Sequence, residues 1–551
     1  MKNLKDILYG VSILEVVGDT SIELSGITFD SRKVVNDVCY VAQLGTQVDG
    51  HDFIEKSIAN GATAVICEKM PKSFLKSVTY VMVQDSGQAL GVMASNFYDN
   101  HSSKIKLVGV TGTNGKTTTV TLLHQLFTKL GHHVGLISTV VNKIGEKEIK
   151  STHTTPDAIQ LNELLVEMFL DGCEFCFMEV SSHAVVQHRV AGITFAGGAF
   201  TNITHEHLDF HKTFKEYIKA KQSFFTLLPK GAFALSNKDD KNGEVMLQET
   251  AAVKHFYALK TQAEFKTKVI ESSFDGLSLN IDGQEFWSPF IGYFNAYNLT
   301  TVYGIAMLLG QDKMQVLTVL STLNAVAGRF QHLKIGGVTG IVDYAHSPDA
   351  LENVLKTIKD IRTGNEEVIT IVGCGGDRDR TKRPLMAAIA CKLSDRVILT
   401  SDNPRTENPD AIIEEMKTGV DAASKRKVIA ITNRKEAIRT ASSLAQANDI
   451  LLVAGKGHEN YQEINGERFH FDDLEIRRSE LRFRLMYERQ IKGFIWLSAQ
   501  AGYRYNYSFN VDQIPDGEDF YRGFFGDQEF IQENELTNPL YVSFSINLVS
   551  P

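Results

Sequence analysis

A chain of 551 residues is too long for one ordinary hydrophobic core, and its length predicts three or four domains. Hydrophobic residues make up 43% and charged residues 22% of the sequence, which is typical of soluble globular proteins. The net charge of −9 argues against a nucleic-acid partner, because a phosphate backbone requires a basic surface. Local clusters of Arg, Lys and Gly are still compatible with an anionic small-molecule ligand.

The N-terminus does not have the layout of a signal peptide, since the apolar stretch near Met1 is short and broken by charge. The longest uncharged run, residues 287–311, contains Ser, Pro, Asn and Thr and is predicted to be a loop leading into a core helix, not a membrane span. We therefore expect a cytoplasmic protein, with no membrane contact in residues 1–490. The six cysteines are expected to be buried, reduced thiols. Cys173 and Cys176 are placed on a predicted strand, where residues three apart face opposite sides.

The first hundred residues predict an α/β domain of their own, because short apolar runs alternate there with turn signals. A strand is predicted at 40–42, and a helix end leads into another strand at 61–67. A second domain, residues 101–327, opens with a βαβ rhythm, which predicts a parallel sheet with helices on its faces. Its predicted elements are a buried strand at 105–110, a helix at 117–130 and a strand at 133–137.

A third domain, residues 328–490, predicts a second doubly wound, Rossmann-like sheet, because apolar strands alternate with helical patterns. The predicted strands are residues 340–344, 368–373, 396–400 and 450–454. Residues 491–551 differ, being aromatic and rich in Gly and Asn. Alternating apolar residues at 503–509 and 540–548 predict strands there. We interpret this tail as an appended β-rich segment with no part in the chemistry; a small β module packed on the third domain is the alternative.

The strongest local signal is a glycine-containing loop between the predicted strand at 105–110 and the helix after it. Residues 109–119 are G-V-T-G-T-N-G-K-T-T-T. Backbone N–H groups in such a loop, and the dipole of the helix that follows, favour a phosphate. Lys116 can reach the β- and γ-phosphates of ATP, and the Thr117 hydroxyl can ligate Mg²⁺. The loop is a variant, because Val110 stands where the strict P-loop spacing has glycine. The expected ATP-binding residues of this loop are Gly112, Thr113, Asn114, Gly115, Lys116, Thr117 and Thr118.

The form T-G-T-N-G-K-T-T is that of the Mur ligases and of the related folylpolyglutamate synthases. Further motifs, in order over residues 1–490, make the sequence resemble the Mur ligases that add the third amino acid of the cell-wall peptide (MurE type). They are D-S-R at 30–32, D-G-H-D-F-I at 49–54, T-T-P-D at 154–157, E-V-S-S-H-A at 179–184, H-L-D-F-H at 207–211, G-Y-F-N-A-Y-N at 292–298, D-Y-A-H-S-P at 343–348 and D-N-P-R at 402–405. The resemblance implies a three-domain α/β architecture: a uridine-nucleotide domain, a central P-loop domain and a C-terminal Rossmann-like domain.

The resemblance also implies roles for individual residues. The UDP-muramoyl substrate would contact Ser31, Thr154, Thr155, Ser181, Gln187 and Arg189. The nucleotide would further meet Asn295, Arg329 (on a phosphate) and Asp343 (on the ribose). Glu206 and Phe210 depart from the family's usual D-H-L-D-Y-H.

Roles in catalysis are implied for four residues, namely Lys116, Glu179, His207 and Lys221. The expected magnesium ligands are Thr117, Glu179, His207 and Lys221. In the family, a lysine at the place of Lys221 reacts with CO₂ and becomes N6-carboxylysine, a carbamate. This reaction needs a neutral amine, so the surroundings of Lys221 must lower its pKa.

The D-N-P-R tetrapeptide accompanies meso-diaminopimelate in this family, whereas lysine-adding members differ there. Diaminopimelate has a carboxylate that lysine lacks, and an arginine offers two parallel donors to such a group. A lysine substrate would leave these donors unpaired and would be rejected. The implied diaminopimelate-binding residues are Arg378, Asp402, Asn403, Pro404, Arg405, Gly455 and Glu459.

The implied function is that of an ATP-dependent acid–amino-acid ligase. It would join meso-2,6-diaminopimelate to UDP-N-acetylmuramoyl-L-alanyl-D-glutamate through an acyl phosphate, with Mg²⁺ as cofactor, in peptidoglycan precursor synthesis. We expect a monomer. A lysine-adding Mur ligase and a folylpolyglutamate synthase are the alternatives in the same class, opposed by the D-N-P-R and D-S-R motifs. A non-catalytic, ATP-switched scaffold is the alternative from another class, and it needs no second metal site.

Overall fold

The computed structural model describes residues 1–45 and 48–476, together with two strands at 494–501 and 503–510. The backbone alone is described for those two strands and for residues 208 and 209. The chain divides into two compact units. The larger unit consists of Met1–Gln331, Asp343–Thr363 and Asp379–Ile389, and the smaller unit of His332–Val342, Gly364–Arg378 and the chain from Ala390 onward. The predicted domain boundaries near residues 100, 327 and 490 stay predictions.

The first hundred residues contain a five-stranded sheet. In chain order the elements are β1 (Lys2–Asn3), α1 (Leu4–Ile7), β2 (Ile13–Val17), β3 (Glu23–Leu24), β4 (Gly26–Thr28), β5 (Val38–Val41), α2 (Ile54–Ala59), β6 (Ala62–Cys67), β7 (Thr79–Val83) and α3 (Ser86–Phe97), with 3-10 helices at Gly50–Phe53 and His101–Ser103. The sheet order is β2-β7-β6-β5-β4, parallel from β4 to β7 and antiparallel between β7 and β2. The predicted strand at 40–42 and the helix-to-strand passage at 61–67 are confirmed as β5 and as α2 followed by β6.

Residues 106–320 build the central sheet of the larger unit. Its elements are β8 (Lys106–Thr111), α4 (Lys116–Lys129), β9 (Val134–Ile137), β10 (Val141–Ile144), β11 (Lys147–Lys150), α5 (Ala158–Leu170), β12 (Phe175–Glu179), α6 (Ser182–Val186), β13 (Gly197–Phe200), α7 (Leu208–His211), α8 (Phe214–Thr226), β14 (Phe233–Asn237), α9 (Gly243–Met246), β15 (Val253–Ala258), β16 (Phe265–Ser273), β17 (Gly276–Ile281), β18 (Gln284–Ser288), α10 (Tyr293–Leu308) and α11 (Lys313–Leu320). The strand order is β11-β10-β9-β12-β8-β13-β14-β15-β16-β17-β18.

The middle of this sheet is parallel, as the βαβ rhythm predicts, from β9 across to β16. Antiparallel strands close both edges. Because β8, β12 and β14 are covered by helices on both faces, their sequences are nearly continuous apolar runs. The chain moves from β8 first to β9 and β12 on one side and later to β13 on the other. The carboxyl end of β8 is therefore a switch point, where ligands bind in open α/β sheets.

A second sheet follows from residue 331 onward. The elements are β19 (Gln331–Ile335), β20 (Val338–Asp343), α12 (Pro348–Ile361), β21 (Val368–Cys374), α13 (Lys382–Leu393), β22 (Arg396–Ser401), α14 (Pro409–Lys417), β23 (Val428–Ala430), α15 (Arg434–Leu444), β24 (Ile450–Ala454), β25 (Tyr461–Ile464) and β26 (Glu467–His470), with a 3-10 helix at Ser424–Lys427. The order is β19-β20-β24-β21-β22-β23, with β24, β21, β22 and β23 parallel. All four predicted strands are confirmed, and they are the inner four. Strands β25 and β26 form a separate antiparallel hairpin.

The tail contributes β27 (Phe494–Ala501) and β28 (Tyr503–Asn510), which pair antiparallel. The strand predicted from the alternation at 503–509 is thus confirmed, while the one predicted at 540–548 lies outside the described residues. The role of the tail stays a prediction.

Two details of the sequence reading are wrong. Trp287 and Ser288 end strand β18 and do not belong to a loop, although the core helix predicted after them is α10. Cys173 precedes β12, and Cys176 alone of the pair lies on that strand. All six cysteines are nevertheless buried, as expected. In the described part of the chain, no helix is long and apolar enough to cross a membrane.

Candidate active site

The predicted phosphate loop connects β8 to α4, and the end of the neighbouring strand β13 holds it in shape. Thr113 N donates to the main-chain oxygen of Asn202 at 2.7 Å, and Asn114 N donates to Asn202 Oδ1 at 3.0 Å. Asn114 O accepts from Thr201 Oγ1 at 2.6 Å. These three hydrogen bonds hold the loop against the end of β13.

Two positions of the loop require glycine. A Cβ on Gly112 would lie 1.9 Å from Thr201 Oγ1, and Gly112 has a φ of +151°. Gly115, at the start of α4, has a φ of +89°, and a Cβ there would lie 2.6 Å from Asn298 Oδ1. Side chains are excluded from both places, which leaves the backbone N–H groups at the start of α4 open to an anion.

Two lysines meet at one carbonyl of this loop. Lys116 Nζ donates to Gly112 O and to Thr113 O, each at 2.9 Å, and Lys221 Nζ from α8 donates to Gly112 O at 2.7 Å. The side chain of Lys221 is buried and lies 4.7 Å from the ring centroid of Tyr217. Burial, and then the charge of Lys116, lower the pKa of Lys221 well below its ordinary value. The structure thus favours the neutral amine that a carbamate requires.

A buried carboxylate lies at the carboxyl end of β12. Glu179 is 1% exposed, and its Oε1 accepts from Thr139 N at 2.7 Å. Its Oε2 has no hydrogen-bond partner among the residues that the structure describes. Such an oxygen is costly to bury unless a cation balances it, and a carboxylate oxygen is a preferred magnesium ligand. Glu179 therefore fits a magnesium site.

The predicted substrate residues lie around the main chain of Glu179. Thr155 Oγ1 donates to Glu179 O at 2.8 Å, and Ser181 N donates to Thr155 Oγ1 at 3.1 Å. Arg189 Nη1 donates to Thr155 O at 2.7 Å and its Nε donates to Gln187 Oε1 at 2.9 Å. Thr154 joins this group through a hydrogen bond from Thr139 Oγ1. Five of the six residues predicted for the UDP-muramoyl substrate are thus brought together. The sixth, Ser31, lies in the turn after β4, where Asp30 and Arg32 form an ion pair.

A cluster of acid and imidazole groups lies beside the two lysines. Glu206 Oε2 is 3.8 Å from His207 Nε2, and Glu206 Oε1 is 3.9 Å from His346 Nε2. Burial alone would raise the pKa of Glu206, but the charges of His346, His207, Lys116 and Lys221 together lower it below its ordinary value. Partial burial lowers the pKa of His207. A neutral imidazole can act as a metal ligand.

Arg329 approaches the phosphate loop as the resemblance implies. Its Nη2 donates to Thr117 Oγ1 at 3.1 Å, and its guanidinium lies 4.6 Å from the ring centroid of Tyr344. Asp343 Oδ2 accepts from Phe330 N at 2.6 Å. Asn295 is set further back, with its side-chain nitrogen on Ile291 O.

Asp343 gives a pH-dependent prediction. Burial raises its pKa to about 6, so the folded protein holds a proton there more tightly than the unfolded chain. This stabilisation is fully present below about pH 4 and is lost as the pH rises through about 6. The Asp343→Asn variant stays neutral, so it should gain stability relative to wild type between pH 4 and pH 7, by up to about 3 kcal/mol. Thermal unfolding of the ligand-free proteins across this range checks it, with Asp360→Asn, at an exposed position on α12, as the control. A pH-independent difference would contradict the assignment.

In the smaller unit, the predicted D-N-P-R tetrapeptide follows β22. Arg405 Nη1 donates to Gly376 O at 2.7 Å, and a Cβ on Gly375 would lie 2.9 Å from that nitrogen and 3.8 Å from Arg378 Cγ. Arg378 and Arg405, the two arginines predicted to bind diaminopimelate, therefore both lie beside Gly375 and Gly376. Arg405 N donates to Glu463 O at 3.0 Å, so the hairpin of β25 and β26 fixes its backbone.

The remaining predicted residues of this site lie together at the ends of β22 and β24. Asn403 Nδ2 donates to Glu459 Oε2 at 2.7 Å. A Cβ on Gly455 would lie 2.5 Å from Asp402 Oδ2, so the glycine makes room for that carboxylate.

Several polar residues at these sites had no role predicted from the sequence. In the larger unit they are Asn202, Glu206, Tyr217, Asn298 and His346, and in the smaller unit Lys456 and Glu463. The position of Asn202 near the phosphate loop could have been predicted, because Asn202 follows a buried strand that a parallel sheet places next to β8. The positions of the other residues depend on contacts between segments that are distant in the sequence.

Three family models match the chain: the Mur ligase family catalytic domain at residues 23–98, the Mur ligase middle domain at 110–306 and the Mur ligase glutamate ligase domain at 328–457. A Cytophaga hutchinsonii protein named UDP-N-acetylmuramoyl-L-alanyl-D-glutamate–2,6-diaminopimelate ligase is 56% identical over 472 residues, which are 85% of this chain and 97% of that protein. The protein of the same name from Phocaeicola vulgatus is 55% identical, over 86% of this chain and 98% of that protein.

A solved structure of a ligase with this name is 32% identical, with a TM-score of 0.64, and covers 88% of this chain and 99% of that chain. MurF from Thermotoga maritima in complex with ADP, at 19% identity, shares the fold with a TM-score of 0.56, over 83% of this chain and 98% of that one. This chain belongs to the Mur ligase family, and within it to the MurE type.

Proposed function

We propose that this chain joins meso-2,6-diaminopimelate to UDP-N-acetylmuramoyl-L-alanyl-D-glutamate at the expense of ATP, in peptidoglycan precursor synthesis. The observation that carries the proposal is the meeting of Lys116 and Lys221 on the Gly112 carbonyl of the phosphate loop. The relatives with this name support it, since they match the chain over nearly their whole length.

The chemistry requires activation of a carboxylate. Hydroxide is a poor leaving group, so a carboxylate does not condense with an amine unaided. Transfer of the γ-phosphoryl group of ATP to the D-glutamate side-chain carboxylate gives an acyl phosphate and releases ADP. The amine of diaminopimelate then attacks the acyl carbon and loses a proton, and phosphate leaves as the amide bond forms. Both reactants of the first step are anions. Lys116 on the phosphate loop and Arg329, which donates to Thr117 at the end of that loop, offset their repulsion.

Magnesium and a carbamate complete the proposed ATP site. We assign Thr117, Glu179, His207 and the carbamate of Lys221 as the groups that hold magnesium. When bound, magnesium withdraws negative charge from the phosphate oxygens. In carbamate formation the neutral amine of Lys221 bonds to the carbon of CO₂ and loses one proton. The new anion would lie next to Lys116, whose charge balances it.

The nucleotide substrate is assigned to the group around Glu179. Arg189 and the hydroxyls of Thr154 and Ser181 supply donors there. We propose that they hold the muramoyl part together with Thr155, whose own O–H donates to Glu179 O, and that Gln187 orients the Arg189 guanidinium. Ser31 is assigned to the uridine nucleotide. Because every proposed contact comes from one chain and every substrate is water-soluble, we expect a cytoplasmic monomer to carry out the whole reaction.

The diamino acid is assigned to the smaller unit. Arg405 and Arg378 would pair with the carboxylate that distinguishes diaminopimelate from lysine. Glu459 and Gly455 would hold an amino end, with Asp402, Asn403 and Pro404 forming the wall between them. A lysine-adding ligase would need no arginine pair at Gly375, and a folylpolyglutamate synthase would need no site for a diamino acid.

Release of phosphate from ATP separates a ligase from an ATP-switched scaffold. We expect phosphate release only when the UDP-linked dipeptide and diaminopimelate are both present, because the acyl phosphate must be made on one and consumed by the other. The Lys116→Met variant should release none above background. Release from ATP alone, or release unaffected by omitting either substrate, would contradict a ligase.

A further inference from the structure

A buried cation lies inside the proposed diamino-acid site, at a position to which no role has been assigned so far. Lys456, two residues after β24, is 0% exposed. Its Nζ donates to Asn403 Oδ1 at 2.9 Å and lies 3.3 Å from Glu459 Oε2. Asn403 Nδ2 donates to the same Glu459 oxygen at 2.7 Å. The three side chains therefore form a closed triangle that fixes the carboxylate of Glu459.

The hairpin of β25 and β26 fixes the triangle from the other side. Glu463 N donates to Asn403 Oδ1 at 2.9 Å, so this oxygen accepts from two donors. The amide of Asn403 can then point only its nitrogen at Glu459. Both hydrogen bonds to Glu459 end on Oε2. Because they fix the orientation of the carboxylate group, they also fix the position of Oε1.

Two carboxylates and one ammonium group meet in the cluster around Glu459. Arg434 and Asp473 form a fully buried pair at 2.7 Å and neutralise each other. Lys456 then opposes two carboxylates, those of Asp402 and Glu459. The carboxylate of Asp402 adds to the negative potential at Glu459, and such a potential attracts the ammonium group of an amino acid.

The groups that face Glu459 set its ionisation. They are Asp402, Asn403, Lys456, Arg434 and Tyr461. Burial and the charge of Asp402 raise the pKa of Glu459, whereas Lys456 and Asn403 oppose that rise. Without Lys456 the carboxyl group would hold its proton to a higher pH.

We propose that Lys456 is a positioning residue for the diamino acid: it orients the Glu459 carboxylate and balances its charge, so that Glu459 can hold the substrate's ammonium group. This inference rests on the proposed function. Lys456 itself touches neither substrate nor ATP; it acts through Glu459.

Steady-state kinetics of the full chain test this inference. Lys456→Met should raise the KM for diaminopimelate by about 100-fold, the effect of losing a charge-assisted contact to a buried group, with the KM for ATP within about twofold of wild type. Glu459→Gln should do the same. The KM for diaminopimelate of the double variant should be at most about threefold higher than that of either single variant, because both substitutions disrupt the same Lys456–Glu459 interaction. Lys435→Met, at an exposed position on α15, is the matched control and should behave as wild type.

A pH series separates positioning from mere structural support. The KM for diaminopimelate of Lys456→Met should fall as the pH rises, because Glu459 regains its charge, and that of Glu459→Gln should not. Lys456→Gln keeps a donor without the charge, and it replaces Lys456→Met if the latter does not fold.

An unchanged KM in a folded variant, or equal increases in the KM values for diaminopimelate and ATP, would overturn the inference. A wild-type chain that ligates no diamino acid overturns the proposed function first, and the two failures are therefore distinguishable.

Discussion

Replacing Lys221 by alanine should lower the ligation rate by about 1,000-fold or more, because it removes both the amine at the Gly112 carbonyl and the proposed carbamate. The loss should remain in kcat when all substrates are saturating, because saturation offsets weaker ATP binding at Gly112 but does not replace the group missing from the site of phosphoryl transfer. Lys219→Ala is the matched control: this lysine is exposed on the same helix, α8, and its loss should leave kcat unchanged.

The same variant distinguishes a carbamate from a simple lysine. Truncation of a buried side chain leaves space, and a small carboxylate such as formate or acetate can supply the missing anion there. We expect such acids to restore part of the activity of Lys221→Ala, and methylammonium to restore none. Rescue by the amine instead, or residual activity within tenfold of wild type, would show that no carbamate is needed.

Replacing Arg405 by alanine should strongly raise the KM for diaminopimelate and leave the KM for ATP unchanged. Loss of a two-donor contact to a carboxylate is worth about 3 kcal/mol, which corresponds to a rise of about 100-fold in the KM for diaminopimelate. The KM for diaminopimelate of Arg405→Lys should lie between those of wild type and Arg405→Ala, because an ammonium group keeps the charge and loses the paired geometry. Selectivity against lysine should drop in both variants.

The measurement is a pair of Michaelis constants, for diaminopimelate and for ATP, on each variant. Arg426→Ala, at an exposed position in the 3-10 helix before β23, controls for loss of positive charge on the smaller unit. A parallel rise of both Michaelis constants would point to a folding defect, and an unchanged constant for diaminopimelate would remove Arg405 from the site.

The phosphate loop could be predicted from the sequence because its signals are local. The apolar run of β8, the glycines at 112 and 115, and Lys116 at the start of α4 all lie within eleven residues. Strands β8 and β9 of the central sheet and the inner four strands of the second sheet were equally accessible, since strands covered on both faces are continuous apolar runs, whereas β13, β14, β15 and β16 were not predicted. The edge strand β19 was missed because its sequence, Q-H-L-K-I, is half polar.

The groups that tune the site could not be predicted, because their environment comes from distant segments. Lys221 and Gly112 are 109 residues apart, and Lys456 and Asn403 are 53 apart. A lysine in a sequence is most often solvated, and nothing local marks Lys456 as fully buried. The family resemblance predicted a role for Lys221 but none for Lys456, Glu206 or His346. The antiparallel strands β17 and β18 were also overlooked, although Leu277, Leu279 and Ile281 alternate with polar residues.

The most direct test offers the purified chain ATP, magnesium, UDP-N-acetylmuramoyl-L-alanyl-D-glutamate and equal amounts of meso-diaminopimelate and lysine. We predict one ADP for each new peptide bond, and a product that contains diaminopimelate in at least about 100-fold excess over lysine. A chain that yields no ADP alongside a longer peptide, or that adds lysine as readily, would contradict the account.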